Sequence, residues 1–145
     1  RRFDFKIKTS RLVFLSDYAH HPAEIAQSVK SVRELYKDKK ITAIFQPHLY
    51  TRTRDFYKDF ADSLSLLDEV ILTEIYPARE QPIPGVSSRL IYDNLRPGIE
   101  KCICPKEDIL NLLSKKSVEV LIVLGAGDLD NYVPSITQLL EQQSK

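Results

Sequence analysis

The feature that most constrains this chain is alternation: short apolar runs and helix-spaced apolar segments follow one another almost without interruption. Residues 12–15, Leu-Val-Phe-Leu, read as a strand that runs into Ser16, Asp17 and Tyr18. Beyond Pro22, Ile25, Val29, Val32 and Tyr36 recur at helical spacing, and a proline in the first turn suits a helix start. Residues 41–45 predict a second strand, followed by a helix with Phe56, Phe60, Leu64 and Leu67 on one face. Residues 70–72 predict a third strand. A proline-rich loop over 77–86 then leads to a short helix reaching Leu95, capped by Ser87 or Ser88. Residues 102–104 read as a fourth strand. Pro105 opens a fourth helix with Glu107 and Asp108 in its first turn and Lys115 and Lys116 in its last, as the helix dipole favours. The continuous apolar run 118–124 is expected of a strand covered on both faces. After Gly125-Ala126-Gly127, Ile136, Leu139 and Leu140 mark a final helix.

Five strands alternating with five helices imply βαβ crossovers. The expected fold is therefore a single Rossmann-like α/β domain of three layers, a mostly parallel sheet with helices on both faces. An apolar fraction of 43% and 145 residues suffice for a buried core. With 21 basic and 20 acidic residues the net charge is +1, which provides no footprint for nucleic acid or an anionic membrane. No apolar run approaches the length of a bilayer span and no signal peptide opens the chain, so a soluble, cytoplasmic protein is expected. The chain lacks methionine and begins Arg1-Arg2, as a domain cut from a longer protein would. Cys102 and Cys104 share one face of a strand, about 6–7 Å apart, too strained a spacing for a bridge. Two thiols also fall short of a zinc site, so both read as small buried apolar groups.

In an open parallel sheet, ligands bind beyond the carboxyl ends of the strands. Asp17, Tyr18, His20 and His21 follow the first predicted strand; His48, Tyr50, Arg52 and Arg54 follow the second; Tyr76, Arg79 and Glu80 follow the third. The first two loops meet if their strands are neighbours. Arg52 and Arg54 stand where a helix begins, and the positive end of its dipole disfavours cations. An anion received there by backbone N–H groups and guanidinium forks would resolve the conflict. The bland alternative pairs one arginine with Asp55 or Asp59 and leaves the other in solvent. His20 and His21 could bind a carboxylate, shuttle a proton or hold a metal. Adjacent rings are expected to diverge, so no metal site is assigned; each could equally cap the helix or bond a carbonyl. Asp17 is either a ligand-ready carboxylate or a turn former. Gly125-Ala126-Gly127-Asp128 lacks the third glycine of a dinucleotide fingerprint and reads as a close backbone approach.

Several of these segments resemble one family. Residues 17–25, DYAHHPAEI, resemble the D-Y-[AG]-H-H-P-x-E signature of the Mur ligases, in the branch that adds L-alanine. Residues 45–54, FQPHLYTRTR, are similar to its F-Q-P-H-R-[YF]-[ST]-R-T motif. Residues 75–86 are similar to its Y-P-A-x-E…P-I-x-G loop, and 124–129 to its G-A-G-[DN]-[IL] turn. The likeness runs in order along nearly the whole chain. It implies the C-terminal, amino-acid-binding domain over residues 11–145, with 1–10 joining it to a missing central ATPase domain. The enzyme so implied is a three-domain, ATP-dependent ligase that joins L-alanine to UDP-N-acetylmuramate through an acyl phosphate in peptidoglycan synthesis. ATP and Mg2+ would be held mainly by the central domain. Tyr18, His20, His48 and Arg52 would surround L-alanine, Arg52 taking its carboxylate, while Arg2 and Asp17 would contact ATP. No catalytic residue is implied within this domain alone, and the isolated piece should be inactive. Two positions depart from the pattern: Leu49 stands where the family has an arginine, and Ser16 where an aspartate is frequent.

Two alternatives stay open. The related recycling ligase, which attaches a tripeptide to the same sugar nucleotide, resembles the His-His-Pro step but reads F-E-P-R-x-N-T at the second motif. A free-standing α/β module binding a nucleotide or another anion would use the same loops without a ligase around it.

Overall fold

The computed structural model describes residues 3–144. Its strands are β1 (Asp4–Lys8), β2 (Val13–Asp17), β3 (Ile41–Phe45), β4 (Glu69–Leu72), β5 (Glu100–Ile103) and β6 (Val120–Leu124). Its helices are α1 (Pro22–Leu35), α2 (Tyr50–Leu64), α3 (Arg89–Asn94), α4 (Ile109–Ser114) and α5 (Val133–Gln143). One six-stranded sheet results, in the order β1-β2-β6-β3-β4-β5. All pairings are parallel except that of β1 with β2.

Successive residues of a strand point to opposite faces, and here both faces are covered. Val13, Leu15, Ala43, Phe45, Val70, Leu72, Ile122 and Leu124 turn toward Ile25, Val29 and Val32 of α1, Phe60 and Leu64 of α2, and Ile91 of α3. Phe14, Ile44, Ile71, Leu121 and Val123 turn the other way, toward Ile109 and Leu113 of α4 and Val133, Ile136 and Leu140 of α5. The three-layer α/β architecture expected from the alternation is the one observed. Phe14, Phe45 and Phe60 are fully buried, each worth about 1.5–3 kcal/mol over an exposed side chain. No helix among the described residues is long and apolar enough to cross a membrane.

Three details differ from the sequence reading. The sheet has six strands rather than five, because Asp4–Lys8 adds an antiparallel edge within a stretch expected to be a connector. A register shift between Phe5 and Ile7 sends these residues to opposite cores, which hides the strand's alternation. Phe56, expected on the buried face of α2, is 42% exposed because the helix kinks there (φ −129°, ψ 16°). Lys115 and Lys116 lie beyond the end of α4; Lys116 instead bonds Glu69 Oε2 at 2.6 Å, at the start of β4. Both cysteines are free, and burial pushes the Cys104 thiol up to about 11. That suits their reading as small apolar groups.

Candidate functional site

The loops after β2 and β3 do meet, but not as neighbours. β6 lies between the two strands, which places them roughly 9–10 Å apart. The turn that leaves β6 lies against the loops after β3 and β4, and its glycines leave the room they need. A Cβ at Gly127 would lie 2.5 Å from Gln46 Oε1 and 2.7 Å from the Tyr76 ring, and one at Gly125 (φ 140°) 3.0 Å from the Gln46 carbonyl oxygen. The expected close backbone approach is therefore real, and its partner is Gln46. That side chain is fully buried; it accepts the Leu129 N–H at 3.0 Å and donates to Asp128 at 2.7 Å.

Above this floor the His20 and His48 rings stand 5.4 Å apart, centroid to centroid. Tyr18 is edge-on to His20 at 6.4 Å, and Tyr76 lies against His48 at 5.3 Å. Backbone bonds lock the second loop: Tyr76 N–H to the Pro47 carbonyl and Leu49 N–H to the Tyr76 carbonyl, both 2.8 Å. Burial pushes the His48 imidazole below its ordinary range, and the charges of His20 and Arg52 push the same way. His48 is therefore neutral near pH 7, and its buried Nδ1 has no hydrogen-bond partner.

Arg52 is half-buried in the first turn of α2, with Nη1 3.4 Å from the His48 carbonyl oxygen. It forms no ion pair among the described residues. Arg54 takes the bland course, pairing with Asp55 in solvent at 2.9 Å. The helix start already holds an anion, however, and the chain supplies it. Glu80 Oε1 accepts the N–H groups of Tyr50 (2.5 Å) and Thr51 (3.1 Å), while Oε2 accepts the Thr51 hydroxyl at 2.5 Å. The expectation that α2's N–H groups and two guanidinium forks converge on a ligand is corrected accordingly. Those N–H groups are spent on Glu80, and the cation left for a ligand is Arg52. The Thr51 hydroxyl, the two N–H groups and then Arg52 hold the Glu80 carboxyl below the usual range.

Asp17 is 2% exposed; Oδ1 accepts the Ala19 N–H at 2.9 Å and Oδ2 the Ser28 hydroxyl at 2.8 Å. Both oxygens thus hold the turn together, as the turn-former reading expected; each keeps acceptor capacity, so the expected contact with ATP stays open. Arg2, the other expected ATP contact, lies outside the described residues. His20 bonds a carbonyl, that of Tyr18, at 3.0 Å. Its ring does not diverge from that of His21, contrary to expectation: the centroids are 4.5 Å apart.

Gln46 beneath the glycine turn was missed in the sequence, while Tyr76 and Glu80, singled out there for following the third predicted strand, were given no partners: Tyr76 lies against His48 and Glu80 holds the start of α2. Glu80 and Tyr76 lie about 30 residues from the groups they hold, so only a tertiary pairing reveals them. Leu49 adopts φ 76°, a left-handed conformation that costs a non-glycine residue about 1–3 kcal/mol.

Comparison with known proteins places this geometry. Over 143 residues, 99% of the chain, it is 76% identical to a UDP-N-acetylmuramate–L-alanine ligase from Phocaeicola vulgatus and 56% identical to one from Parabacteroides distasonis. In both cases the chain spans 31% of the relative's length. Among solved structures, the ligase of that name from Thermotoga maritima superposes with a TM-score of 0.75 at 29% identity, covering 100% of this chain and 30% of that one. A murein peptide ligase from Psychrobacter arcticus shares the fold, with a TM-score of 0.75 at 17% identity over 97% of this chain and 30% of that one. The model of the family described as Mur ligase, glutamate ligase domain matches residues 1–129, and the chain belongs to that family.

Proposed function

We propose that residues 11–145 are the amino-acid-receiving domain of an ATP-dependent ligase joining L-alanine to UDP-N-acetylmuramate, with residues 1–10 leading from a central ATPase domain. The observation that carries this reading is a guanidinium, Arg52, with no ion pair among the described residues, beside a neutral imidazole, His48, near the rings of His20 and Tyr18. Of the five N–H donors of Arg52, one leans on the His48 carbonyl. The others suit the carboxylate of a free amino acid, and a bidentate pair there fixes its orientation. The neutral ring of His48 can accept a hydrogen bond from its amine, with the His20 ring beside it and Tyr18 on the outer side.

When bound, ATP with Mg2+ supplies the phosphoryl group that turns the muramate carboxylate into an acyl phosphate. This chain has four glycines and no phosphate loop among them, so its own part is to bind and orient the attacking amine. The carboxylate of Asp17 shapes the loop that carries Tyr18 and His20 and retains acceptor sites for a contact with ATP. In isolation the domain is inactive, and the reaction belongs to the cytoplasm, where ATP and the sugar nucleotide are found. The names of the close relatives support L-alanine over the tripeptide of the recycling ligase, whose likeness here is one of fold.

The test uses the whole parent protein. Phosphate release from ATP is measured with UDP-N-acetylmuramate and, in turn, L-alanine, glycine, L-serine and the stem tripeptide. The reading expects release to depend on L-alanine, with weaker turnover of its two small analogues, since one methyl group is worth only about 1–3 kcal/mol. Release that required the tripeptide would transfer the domain to the recycling reaction. No release with any amine would leave only an anion-binding module.

A further inference from the structure

The entry to α1 gathers more metal-ligating chemistry than an amino-acid pocket requires. His20, His21 and Glu24 each offer one donor atom, and the three atoms lie within 4.8 Å of one another. The cause is local. Glu24 sits in the first turn of α1 and its Oε1 accepts the N–H groups of both His20 and His21, each at 3.1 Å. One carboxylate thus pins the backbone of both histidines, and their rings are held 4.5 Å apart with a 40° tilt. Oε2 has no partner among the described residues.

The His20 ring is oriented as ligating imidazoles are. Nδ1 lies 3.0 Å from the Tyr18 carbonyl oxygen, which can only accept, so Nδ1 carries the hydrogen and Nε2 the lone pair. His21 is exposed, and a hydrated ion reaches it without any opening of the fold.

We propose that His20, His21 and Glu24 form a binding site for a divalent transition cation of the zinc or nickel class. Two imidazoles and one carboxylate are the donor set of such ions, whereas magnesium selects oxygen ligands and keeps its waters. Three protein ligands leave a coordination position for water, as in open zinc sites. Donors around a tetrahedral zinc at about 2.1 Å stand roughly 3.4 Å apart. The donor atoms stand up to 4.8 Å apart, so closure asks for a shift of up to about 1.4 Å; the His21 ring, which accepts the Glu24 N–H as the N-cap of α1, gives up or shares that bond. The site stands on this donor geometry and does not depend on the ligase reading; cation binding and ligation are read by separate assays.

The test titrates the 145-residue chain with zinc chloride, nickel chloride and magnesium chloride by calorimetry at pH 7.5, and with zinc again at pH 5.5. The inference expects one equivalent of zinc, none of magnesium, and weaker zinc binding at the lower pH, where protons compete with the metal for its ligands. His21→Ala should weaken zinc at least about tenfold. Glu24→Gln should weaken it too while keeping α1 intact, because its amide oxygen still accepts the two N–H groups. Cys102→Ser with Cys104→Ser should leave the isotherm unchanged. On the unaltered chain, the imidazole nitrogen resonances of His20 and His21 should shift together, complete at one equivalent of zinc. Absence of stoichiometric zinc uptake, equal uptake by His21→Ala, loss confined to the cysteine variant, or unmoved His20 and His21 resonances would each overturn the assignment.

Discussion

Replacing Gln46 with leucine removes the tie beneath the glycine turn at nearly constant volume. Gln46 is fully buried, and its two hydrogen bonds differ in worth. The Leu129 N–H is itself buried, at 3.0 Å from Oε1; without an acceptor it costs about 1–3 kcal/mol. The Asp128 carboxylate is 39% exposed and keeps Lys106 at 3.3 Å, so water replaces the lost donor and that side costs about 0.5 kcal/mol or less. A net loss of about 2 kcal/mol follows. For 145 residues the unfolding entropy is about 0.3 kcal/mol/K, which makes the expected fall in Tm about 7 °C. Asp128→Asn serves as the control: its amide oxygen can still accept from Gln46 and only the partly exposed Lys106 pair is lost, so it should stay within about 0.5 kcal/mol of the parent. Urea unfolding of the three chains, followed by circular dichroism, gives the differences directly. A loss below about 0.5 kcal/mol for Gln46→Leu, or equal losses for both variants, would refute the claim that the buried N–H decides the cost.

Other perturbations probe the same surface. Gly127→Ala drives a methyl group into Gln46 Oε1 and the Tyr76 ring, and thermal unfolding should record a loss of about 1–3 kcal/mol from overpacking. A loss absent at that position would mean the loops after β3 and β4 do not lie against the turn. The His48 imidazole is depressed in the folded chain chiefly by burial, so the unfolded chain takes up its proton first. That contribution to stability is present above pH about 6.5 and is lost as pH falls from there toward the folded value. Carboxylates held low by their partners (Glu24, Asp68, Glu80 and Glu100) add a further loss below about pH 4.5. Urea midpoints across pH 5–8 should decline on the acid side in the parent and less in His48→Gln; parallel curves would contradict the burial argument. Glu80→Gln keeps acceptors for Tyr50 and Thr51 but removes the charge facing Arg52. In the whole ligase it should alter KM for the amino acid more than KM for ATP.

The layers of this fold were legible because each rests on a local pattern. Ile25, Val29 and Val32 are spaced for a helix, and the run through Val120 and Leu124 is apolar on both faces, as a central strand must be. The edge strand Asp4–Lys8 was not, since its bulge breaks the two-residue period and an edge needs no continuous apolar run. At the site, His20, His48 and Arg52 announced themselves as unusual residues after strand ends. What surrounds them depends on contacts between distant segments. Glu80 reaches Thr51, Gln46 reaches Leu129, and Gly125 and Gly127 leave room for Gln46 and Tyr76 at the end of β6. The conflict between Arg52 and the helix dipole pointed correctly to an anion at the start of α2. Local reasoning could not tell that the anion was Glu80.

The central claim is that Arg52 receives the carboxylate of the amine substrate. Its most direct test is steady-state kinetics of the whole ligase, parent against Arg52→Ala, with L-alanine, ATP and UDP-N-acetylmuramate varied in turn. Losing a charged hydrogen-bond partner of a carboxylate is worth about 1.5–3 kcal/mol, so kcat/KM for L-alanine should fall by roughly ten- to 150-fold. KM for the other two substrates should stay within about twofold. An equal fall for all three substrates, or none for L-alanine, would contradict the account.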